Sequence, residues 1–390
     1  MLLFFNFIAI STNTLFTTKH KTILVSVIND LATDQRVLRT CSVLKEHGFD
    51  VILFGRELKN SQSVAHLPYQ TKRIKMLFKN GPLFYLFFNI RLFLFLLSEK
   101  ADALFANDLD TLWANYCCSK IKKMPLIYDS HEIFCEVPEL QKSPMKKKIW
   151  LGLEKRIIPR LKHCITVNQS IADYFLEKYN TPFTVVRNIP EKTAGFELKS
   201  RQELGLPPAK KIIILQGAGI NIDRGAEELV KAMVFVDAHL YIIGGGDVFP
   251  YLKKLITELN LNNKVTIKDK IPKSELMNYT CNADIGVSID KDTNLNYHFS
   301  LPNKIFDYFH AGIPILASNL PEIKTLINHY NIGCLIDNHN PEHIAEKLNF
   351  MLNSEEYELW KANTVKAASE NTWENEKKQL SGILETLFKN

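Results

Sequence analysis

The sequence lacks the patterns that identify several common protein classes. Its seven cysteines include no Cys-x-x-Cys pair, and no His/Cys group has the spacing of a zinc site. It contains no low-complexity tract and no repeat at a solenoid period. These absences argue against a disulfide-stapled domain, a zinc module and a repeat array. An odd number of cysteines without such patterns is typical of reduced thiols, so we expect a cytoplasmic protein.

No apolar run is long enough to predict a membrane-spanning helix. Residues 83–97, LFYLFFNIRLFLFLL, form a run of about 15 residues that includes Asn89 and Arg91, whereas a spanning helix needs about 20. We therefore expect a buried or interfacial helix there. Residues 1–10 are apolar but have no positive n-region and no A-x-A cleavage site. We interpret residues 1–20 as an N-terminal extension, which is an anchor, a signal or the result of an upstream start codon.

Positive charge is unevenly distributed along the 390 residues. Residues 1–190 contain 26 Lys/Arg against 16 Asp/Glu, whereas residues 191–390 contain 22 against 26. A basic first half indicates an anionic partner: nucleic acid, anionic lipid or a phosphorylated substrate. Residues 142–162, KSPMKKKIWLGLEKRIIPRLK, mix Lys and Arg with apolar residues at helical spacing. This segment is either an ordinary amphipathic helix or, with residues 83–97, a contact surface for the inner face of an anionic membrane.

Two series of strand-and-helix units follow one another in the sequence. Apolar runs that end in polar residues predict buried parallel strands over residues 22–28, 50–54, 103–106, 125–128, 212–215, 240–243, 265–267, 285–289 and 314–317. Such alternation is typical of doubly wound α/β domains. The predicted organisation is an N-terminal domain (21–190), a linker (191–209), a C-terminal domain (210–370) and a final helix (371–390) that packs back on the N-terminal domain.

Polar residues follow the strands of the first series, where ligands bind in this topology. The first loop, NDLATDQRVLR, has no G-x-G-x-x-G, which excludes a dinucleotide fingerprint. Its charged residues form either a solvated helix start or a patch that faces a substrate. A histidine after the fourth run is either a structural residue or part of a site. The candidates in this half are Asp34, Arg36, Arg39, Asn107, Asp108, His131 and Glu132.

The second series offers groups that suit a phosphorylated ligand. Glycines follow its first two strands, at Gly217 and at 244–246. Glycine lets a backbone approach a ligand closely. Arg224 supplies planar, always charged donors for a diphosphate.

A helix is predicted to start near Pro302, with Ser300 as its cap. Asn303, Lys304 and Asp307 lie three or four residues apart, so they share one helix face. Free amides and a lysine suit phosphate, and a carboxylate suits sugar hydroxyls. The alternative is a surface ion pair between Lys304 and Asp307, worth less than about 1 kcal/mol.

Taken together, five segments resemble the family 4 glycosyltransferases. They are NDLATDQRVLR (29–39), ANDLDTL (106–112), YDSHEIFCEVPEL (128–140), QGAGINIDRG (216–225) and SLPNKIFDYFHAGIPILAS (300–318). The resemblance implies a GT-B fold, in which two Rossmann-like domains face each other across a cleft. It also implies retaining transfer of a sugar from a UDP- or GDP-sugar to a glycan or lipid-linked acceptor in cell-envelope synthesis. No essential metal or other cofactor is expected.

The resemblance also implies roles for individual residues. Arg224 matches the basic residue of the family's phosphate loop, Asp307 its ribose carboxylate and His131 its first-domain histidine. The chain departs from the commoner pattern at Phe299 and Ala218, where relatives have Glu and Arg, and it looks like a subset that reads P-N-K. We expect catalytic roles for His131, Arg224 and Lys304. We expect donor contacts from Gly217, Arg224, Gly244, Gly245, Asn303, Lys304 and Asp307, and acceptor contacts from Asp34, Arg36, Asn107, Asp108 and Glu132.

Three rival functions follow from the same features. A nucleotide-sugar 2-epimerase has the same fold and would turn over its donor without an acceptor. A non-catalytic two-domain protein would bind a free sugar without nucleotide. A nucleic-acid binder rests only on the basic first half, and since no reading motif supports it, we expect no nucleic acid partner.

Overall fold

The computed structural model describes residues 20–191 and 197–388. Its strands are β1 (Thr22–Asp30), β2 (Asp50–Arg56), β3 (Gln70–Ile74), β4 (Ala103–Asn107), β5 (Leu126–Ser130), β6 (His163–Thr166), β7 (Thr184–Val185), β8 (Ile212–Gly217), β9 (His239–Gly244), β10 (Val265–Asp269), β11 (Ile285–Ser288), β12 (Ile315–Ser318) and β13 (Gly333–Ile336).

The helices of the first half are α1 (Gln35–Glu46), α2 (Gly81–Ser98), α3 (Leu109–Lys122), α4 (Pro138–Gln141), α5 (Pro144–Ile157) and α6 (Gln169–Tyr179). Those of the second half are α7 (Ala226–Ala232), α8 (Phe249–Glu258), α9 (Lys273–Cys281), α10 (Leu295–His298), α11 (Asn303–His310), α12 (Pro321–Tyr330), α13 (Pro341–Asn353), α14 (Tyr357–Glu370) and α15 (Trp373–Phe388).

The strands form two parallel sheets, one in each half of the chain. The first has the order β3-β2-β1-β4-β5-β6-β7 and the second β10-β9-β8-β11-β12-β13. Every strand pair is parallel, as with Thr22 opposite Asp50 and Ile212 opposite His239. In both sheets the strand order reverses direction beside the first strand, which is where doubly wound domains bind ligands. The prediction of two doubly wound α/β domains is confirmed.

The last helix returns to the first domain. Trp373, Leu380 and Leu384 of α15 are buried in the same apolar core as the first-domain strands β1 and β2. Arg187, just past β7, donates to Glu376 of α15 with its main-chain amide and its guanidinium. Of the predicted linker, residues 192–196 lie outside the described part of the chain, as do residues 1–19 of the predicted extension.

Helix α2 has two apolar faces. Phe84, Phe88, Leu92 and Leu96 recur every four residues and are buried in the first-domain core. The opposite face is exposed and includes Leu83, Leu86, Phe87, Ile90 and Leu94. Among the described residues, this helix is the one long and apolar enough to cross a membrane, but a core helix can pass the same test. Its buried face matches the predicted buried or interfacial helix.

Candidate active site

His131 lies between two carboxylates at the carboxyl ends of β4 and β5. Its Nδ1 is 3.1 Å from Asp108 Oδ2, and its Nε2 is 3.3 Å from Asp129 Oδ2. Its main-chain amide donates to Asp108 Oδ1 at 2.9 Å. Burial alone would lower the pKa of His131, but the two carboxylates raise it well above its usual range. The two carboxylates therefore favour the protonated form of His131.

The backbone of Asp108 is strained at this position. Its φ is 60° and its ψ is 166°, a conformation that residues other than glycine rarely adopt. The Asp108 amide donates to the carbonyl of Asp129 at 2.9 Å, which fixes the strained peptide on the neighbouring strand. Strain of this kind is concentrated at functional sites, and here it directs a carboxylate toward His131.

Three predicted acceptor-side residues serve the fold instead. Arg36 is 4% exposed, and its guanidinium donates to both oxygens of Asp129 at 2.8 and 2.9 Å. Asn107 is fully buried and donates to a main-chain carbonyl of β1. Asp34 caps α1 by accepting from an amide of its first turn. The prediction that Arg36 and Asn107 face an acceptor is wrong because both are buried. For Asp34 the structure supports the alternative interpretation of the first loop, in which this residue starts a helix.

Glu132 connects the two domains. Its Oε2 accepts a hydrogen bond of 3.1 Å from Nδ2 of Asn296 in α10. The other amide atom of Asn296, Oδ1, accepts from the main chain of Ile133 at 3.1 Å. Burial and then the nearby Asp108 raise the pKa of Glu132 to about 7. Glu132 can thus either donate or accept a hydrogen bond in the cleft near neutral pH.

In the second domain, Arg224 and Lys304 share one counterion. Asp290 is fully buried after β11 and accepts from Arg224 at 2.5 Å and from Lys304 at 3.5 Å. The guanidinium also lies over the ring of Tyr297, 4.2 Å from its centroid. Burial lowers the pKa of Lys304 despite Asp290, whereas for Arg224 the contributions of Asp290 and Tyr297 together outweigh burial and raise the pKa. Two cations are therefore held side by side on one carboxylate.

The geometry of α11 corrects two predictions. The helix begins at Asn303, and its cap, Pro302, is extended with no side-chain capping bond. Ser300 is thus not the cap, and its buried hydroxyl has no partner among the described residues. The Lys304–Asp307 ion pair is also absent, because Lys304 turns to Asp290. Asn303 is exposed at the start of the helix, as the predicted phosphate contact requires.

Asp307 belongs to a chain of polar contacts on the same domain. Its Oδ2 accepts from Nε2 of Gln216 at 3.1 Å, and Oε1 of Gln216 accepts from the hydroxyl of Thr280 at 2.7 Å. Burial raises the pKa of Asp307 to about 6, although Lys273, Gln216 and Arg39 each lower it. Arg39 lies in the first domain, so the two domains both contribute charge at Asp307.

The glycines after β8 and β9 differ in what they do. Gly244 is buried with a φ of +147°, and a Cβ there would lie 1.8 Å from the carbonyl oxygen of Gly217. Strand packing alone accounts for a glycine here, and the donor contact at Gly244 stays a prediction. Gly217 and Gly245 are half-buried, and the amide of Gly245 donates to the carbonyl of Gly217. Gly217 and Gly245 thus lie at the ends of β8 and β9, where donor contacts are predicted.

The two departures from the commoner family pattern have different surroundings. Phe299 packs against the first-domain core, and its carbonyl accepts from Asn168 at 2.7 Å. Where relatives have a carboxylate, this chain therefore has an apolar contact between domains. Ala218 is exposed directly after β8.

A cavity of about 850 Å³ joins the two halves of the site. At the cleft it is lined by Asp108, Glu132, Arg224 and Asn296. On the first-domain side it is lined by aromatic residues of several helices, namely Phe84, Tyr85, Trp113, Phe134 and Trp150. This volume is typical of a small-molecule site, and its polar groups converge where the domains meet.

Three contributors to the site were missed by the sequence reasoning. Asp290 follows a predicted strand directly, so the rule that selected Asn107 and Asp108 would have found it. Asn296 and Tyr297 belong to a short helix, and their contacts with Glu132 and Arg224 join distant parts of the chain. No local signal marks them.

No cluster of three or more His, Cys, Asp or Glu side chains within residues 20–191 and 197–388 is arranged to hold a metal ion. Independence of metals and other cofactors stays a prediction.

Nucleotide-sugar affinity should fall roughly fourfold between pH 7.5 and 5.5 if Asp307 binds the donor ribose. Its pKa of about 6 means that it gains a proton in this range, and the neutral acid is a poorer acceptor for hydroxyls. Asp307→Asn should bind more weakly and without this pH dependence. Isothermal titration with a nucleotide-sugar, whose diphosphate does not titrate here, measures both.

The raised pKa of Asp307 also affects the stability of the protein. The folded protein binds the Asp307 proton more tightly than the unfolded chain, so stability from this group is lost as the pH rises from about 4 to 6. Asp307→Asn should therefore raise the Tm at pH 7.5 while it weakens donor binding. Asp237→Asn, an exposed carboxylate before β9, is the control and should change neither. Equal affinities of Asp307→Asn and the parent protein would reject the ribose assignment.

Two family models match most of the chain. The model described as Glycosyltransferase Family 4 matches residues 34–190, and the model described as Glycosyl transferases group 1 matches residues 197–370. The two matched regions contain His131 on one side and Arg224, Lys304 and Asp307 on the other.

Individual relatives are distant. An uncharacterised glycosyltransferase of Methanocaldococcus jannaschii is 23% identical over 56% of this chain and 58% of its own length. A GDP-mannose-dependent alpha-(1-6)-phosphatidylinositol monomannoside mannosyltransferase of Mycobacterium tuberculosis is 23% identical over 40% of this chain and 41% of its own. The matches thus span 58% of the first relative's length and 41% of the second's. HepE of Anabaena, solved with UDP and glucose, superimposes with a TM-score of 0.73 at 16% identity, over 94% of this chain and 100% of HepE.

Proposed function

The chain belongs to the family 4 glycosyltransferases of the GT-B fold, and from this we propose that it transfers a sugar from a nucleotide-sugar to a glycan or lipid-linked acceptor. The donor carries UDP or GDP, the anomeric configuration is retained, and no metal or other cofactor is needed. The relative from Mycobacterium tuberculosis uses GDP-mannose, and HepE binds UDP, so both bases fit the family. The reaction serves cell-envelope polysaccharide or glycolipid synthesis at the cytoplasmic face of the membrane.

One observation carries this proposal: Arg224 and Lys304 share the buried Asp290, and Arg224 lines the same cavity as Glu132 of the first domain. Nε of Arg224 is buried without a hydrogen-bond partner among the described residues, and the Arg224 side chain lines the cavity. Fixed cations of this kind stabilise negative charge as it develops on a leaving diphosphate. A sugar-binding protein without chemistry would not need two cations on one buried carboxylate.

The reaction follows from these positions. The bond between the anomeric carbon and the diphosphate oxygen breaks, and its electron pair stays on the diphosphate beside Arg224 and Lys304. The acceptor hydroxyl attacks from the same face and gives its proton to the diphosphate, so the configuration is retained. His131, held between Asp108 and Asp129, contacts the donor sugar or its phosphate and takes no proton in this step.

A thermal-shift panel with UDP, GDP, ADP and CDP tests the donor class. We expect one uridine or guanosine diphosphate to raise the Tm by several degrees, since bound ligand stabilises the folded state by RT ln(1 + [L]/Kd). Release of that nucleotide from its sugar should then depend on added acceptor. Turnover without acceptor would instead identify a 2-epimerase, and tight binding of a free sugar without nucleotide would identify a binding protein.

The exposed faces of α2 and α5 form the membrane-contact surface in this proposal. Leu83, Phe87 and Leu94 of α2 and Met145 and Ile149 of α5 are 45–78% exposed. Lysines of α5 and of the turn before it surround the apolar residues, namely Lys142, Lys146 and Lys148, all exposed. An apolar strip bordered by lysines complements an anionic lipid surface.

Lys142→Gln with Lys148→Gln should weaken binding to anionic vesicles by roughly 30-fold, because each lysine near such a surface contributes about 1 kcal/mol. Co-sedimentation with phosphatidylglycerol and phosphatidylcholine vesicles measures it. The control, Lys253→Gln with Lys254→Gln on exposed positions of α8, should bind as the parent does. Equal binding to neutral vesicles, or equal loss in the control, would contradict a role for this surface.

A further inference from the structure

The cavity contains an arginine whose buried Nε makes no hydrogen bond with a described residue. Arg56 ends β2 and lines the cavity, and its guanidinium lies over the ring of Phe84, 5.1 Å from the centroid. Its Nε is buried without a hydrogen-bond partner in the described structure. A buried donor of a charged group left unpaired costs free energy, so a ligand that supplies an anion gains by binding there.

A carboxyl group in the same cavity is also unpaired. Asp110 is 6% exposed at the start of α3, and its Oδ1 has no partner among the described residues. Burial and then the nearby Asp108 raise its pKa, while His131 and Arg56 lower it less. The unpaired Oδ1 of Asp110 can accept a hydrogen bond from a bound hydroxyl.

The cavity also opens onto the membrane-contact surface. Leu86 of α2 and Ile149 of α5 line it and are 52% and 58% exposed. Aromatic rings line the cavity as well, and we call them the aromatic wall. The ring of Trp150 lies edge to face with those of Tyr85 and Phe134, at centroid distances of 5.1 and 4.9 Å. An apolar chain in contact with this wall has one end at the exposed face and the other near Glu132.

We propose that the acceptor is an amphiphile whose phosphate group binds Arg56, while Asp110 hydrogen-bonds a hydroxyl beside the phosphate. Its apolar chain runs along Tyr85 and Trp150 toward the exposed faces of α2 and α5. The reacting hydroxyl then lies at Glu132, across the cleft from Arg224. This assignment deepens the proposed function, on which it rests, by naming a lipid phosphate as the acceptor class. Arg56 acts as a specificity residue and not in the transfer itself.

The test uses two single-chain amphiphiles, decyl phosphate and decyl glucoside, below their micelle concentrations. Trp113 and Trp150 line the cavity, so tryptophan fluorescence of the full chain reports binding. We expect decyl phosphate to bind at least about tenfold more tightly than decyl glucoside, as a charge-assisted hydrogen bond is worth about 1.5–3 kcal/mol. Arg56→Gln should remove this preference. Arg56→Lys, which keeps the charge without the planar fork, should retain part of it.

Arg91→Gln is the matched control. Arg91 lies on the exposed side of α2, where its guanidinium donates to the carbonyl of Lys75, and it does not line the cavity. The proposal is supported if Arg91→Gln keeps the preference for phosphate and Arg56→Gln loses it. It is overturned if the parent protein binds neither amphiphile or both equally, if Arg56→Gln keeps the preference, or if the control loses it too. A nucleotide-induced Tm shift in the parent protein, measured separately, reports whether the proposed function itself stands.

Discussion

Replacing Arg224 with alanine should lower kcat/KM for sugar transfer by about 10²- to 10³-fold, the usual cost of removing one preorganised group that stabilises developing charge. Asp290 and the ring of Tyr297 fix the guanidinium before substrate arrives. The side chain therefore needs no reorganisation when the diphosphate leaves. Arg224→Lys should recover only part of the rate, because the ammonium lacks the planar fork. Steady-state kinetics with the donor found in the nucleotide panel measure both variants.

Arg201→Ala is the matched control for this experiment. Arg201 is also in the second domain, and it is ion-paired at 2.9 Å with Asp284, before β11 at the amino end of the sheet. Its loss removes the same charge and side chain but nothing at the cleft, so stability should fall and kcat/KM should not. Circular dichroism of Arg224→Ala should show an intact fold. Full activity of Arg224→Ala would reject the site assignment.

Asp290→Asn should have the largest effect on stability among the site residues. Removing one partner of a buried charge cluster costs about 3 kcal/mol, because the remaining charges lose their counterion. Asp290 is fully buried, and the Arg224 and Lys304 side chains are only 25% and 11% exposed. A nucleoside diphosphate supplies the missing anion, so it should raise the Tm of Asp290→Asn more than that of the parent. Thermal denaturation with and without nucleotide tests this.

Asp284→Asn is the matched control for the Asp290→Asn experiment, because it removes a counterion that lies outside the site. Asp284 likewise pairs with two cations, Arg201 and Lys211, at 2.9 and 3.2 Å. Its substitution should also destabilise the protein, but nucleotide should not compensate for the loss, because no ligand replaces this carboxylate. If nucleotide shifts the Tm equally in Asp290→Asn, Asp284→Asn and the parent, Asp290 does not hold a diphosphate-binding pair.

Most of the strands that the sequence predicted are buried along most of their length. β1, β4 and β8 are almost continuously buried, so each reads as an uninterrupted apolar run. β3, QTKRI, was missed because it is an edge strand whose burial alternates along its length. The two-residue β7 was too short to produce a pattern. Local apolar patterning thus found most of the central strands, but it also found the edge strand β10 and missed β6, which lies inside the first sheet.

What the sequence determined by itself is the order of the two α/β series and the positions of Arg224, Lys304 and Asp307 at strand and helix ends. Those features are local, because they depend on periodicity and on residues a few positions apart. The tertiary structure alone decided that Arg36 holds Asp129, that Asp290 joins Arg224 to Lys304, and that Nε of Arg56 has no hydrogen-bond partner among the described residues. Burial and pairing depend on which distant segments pack together, and no local pattern records that.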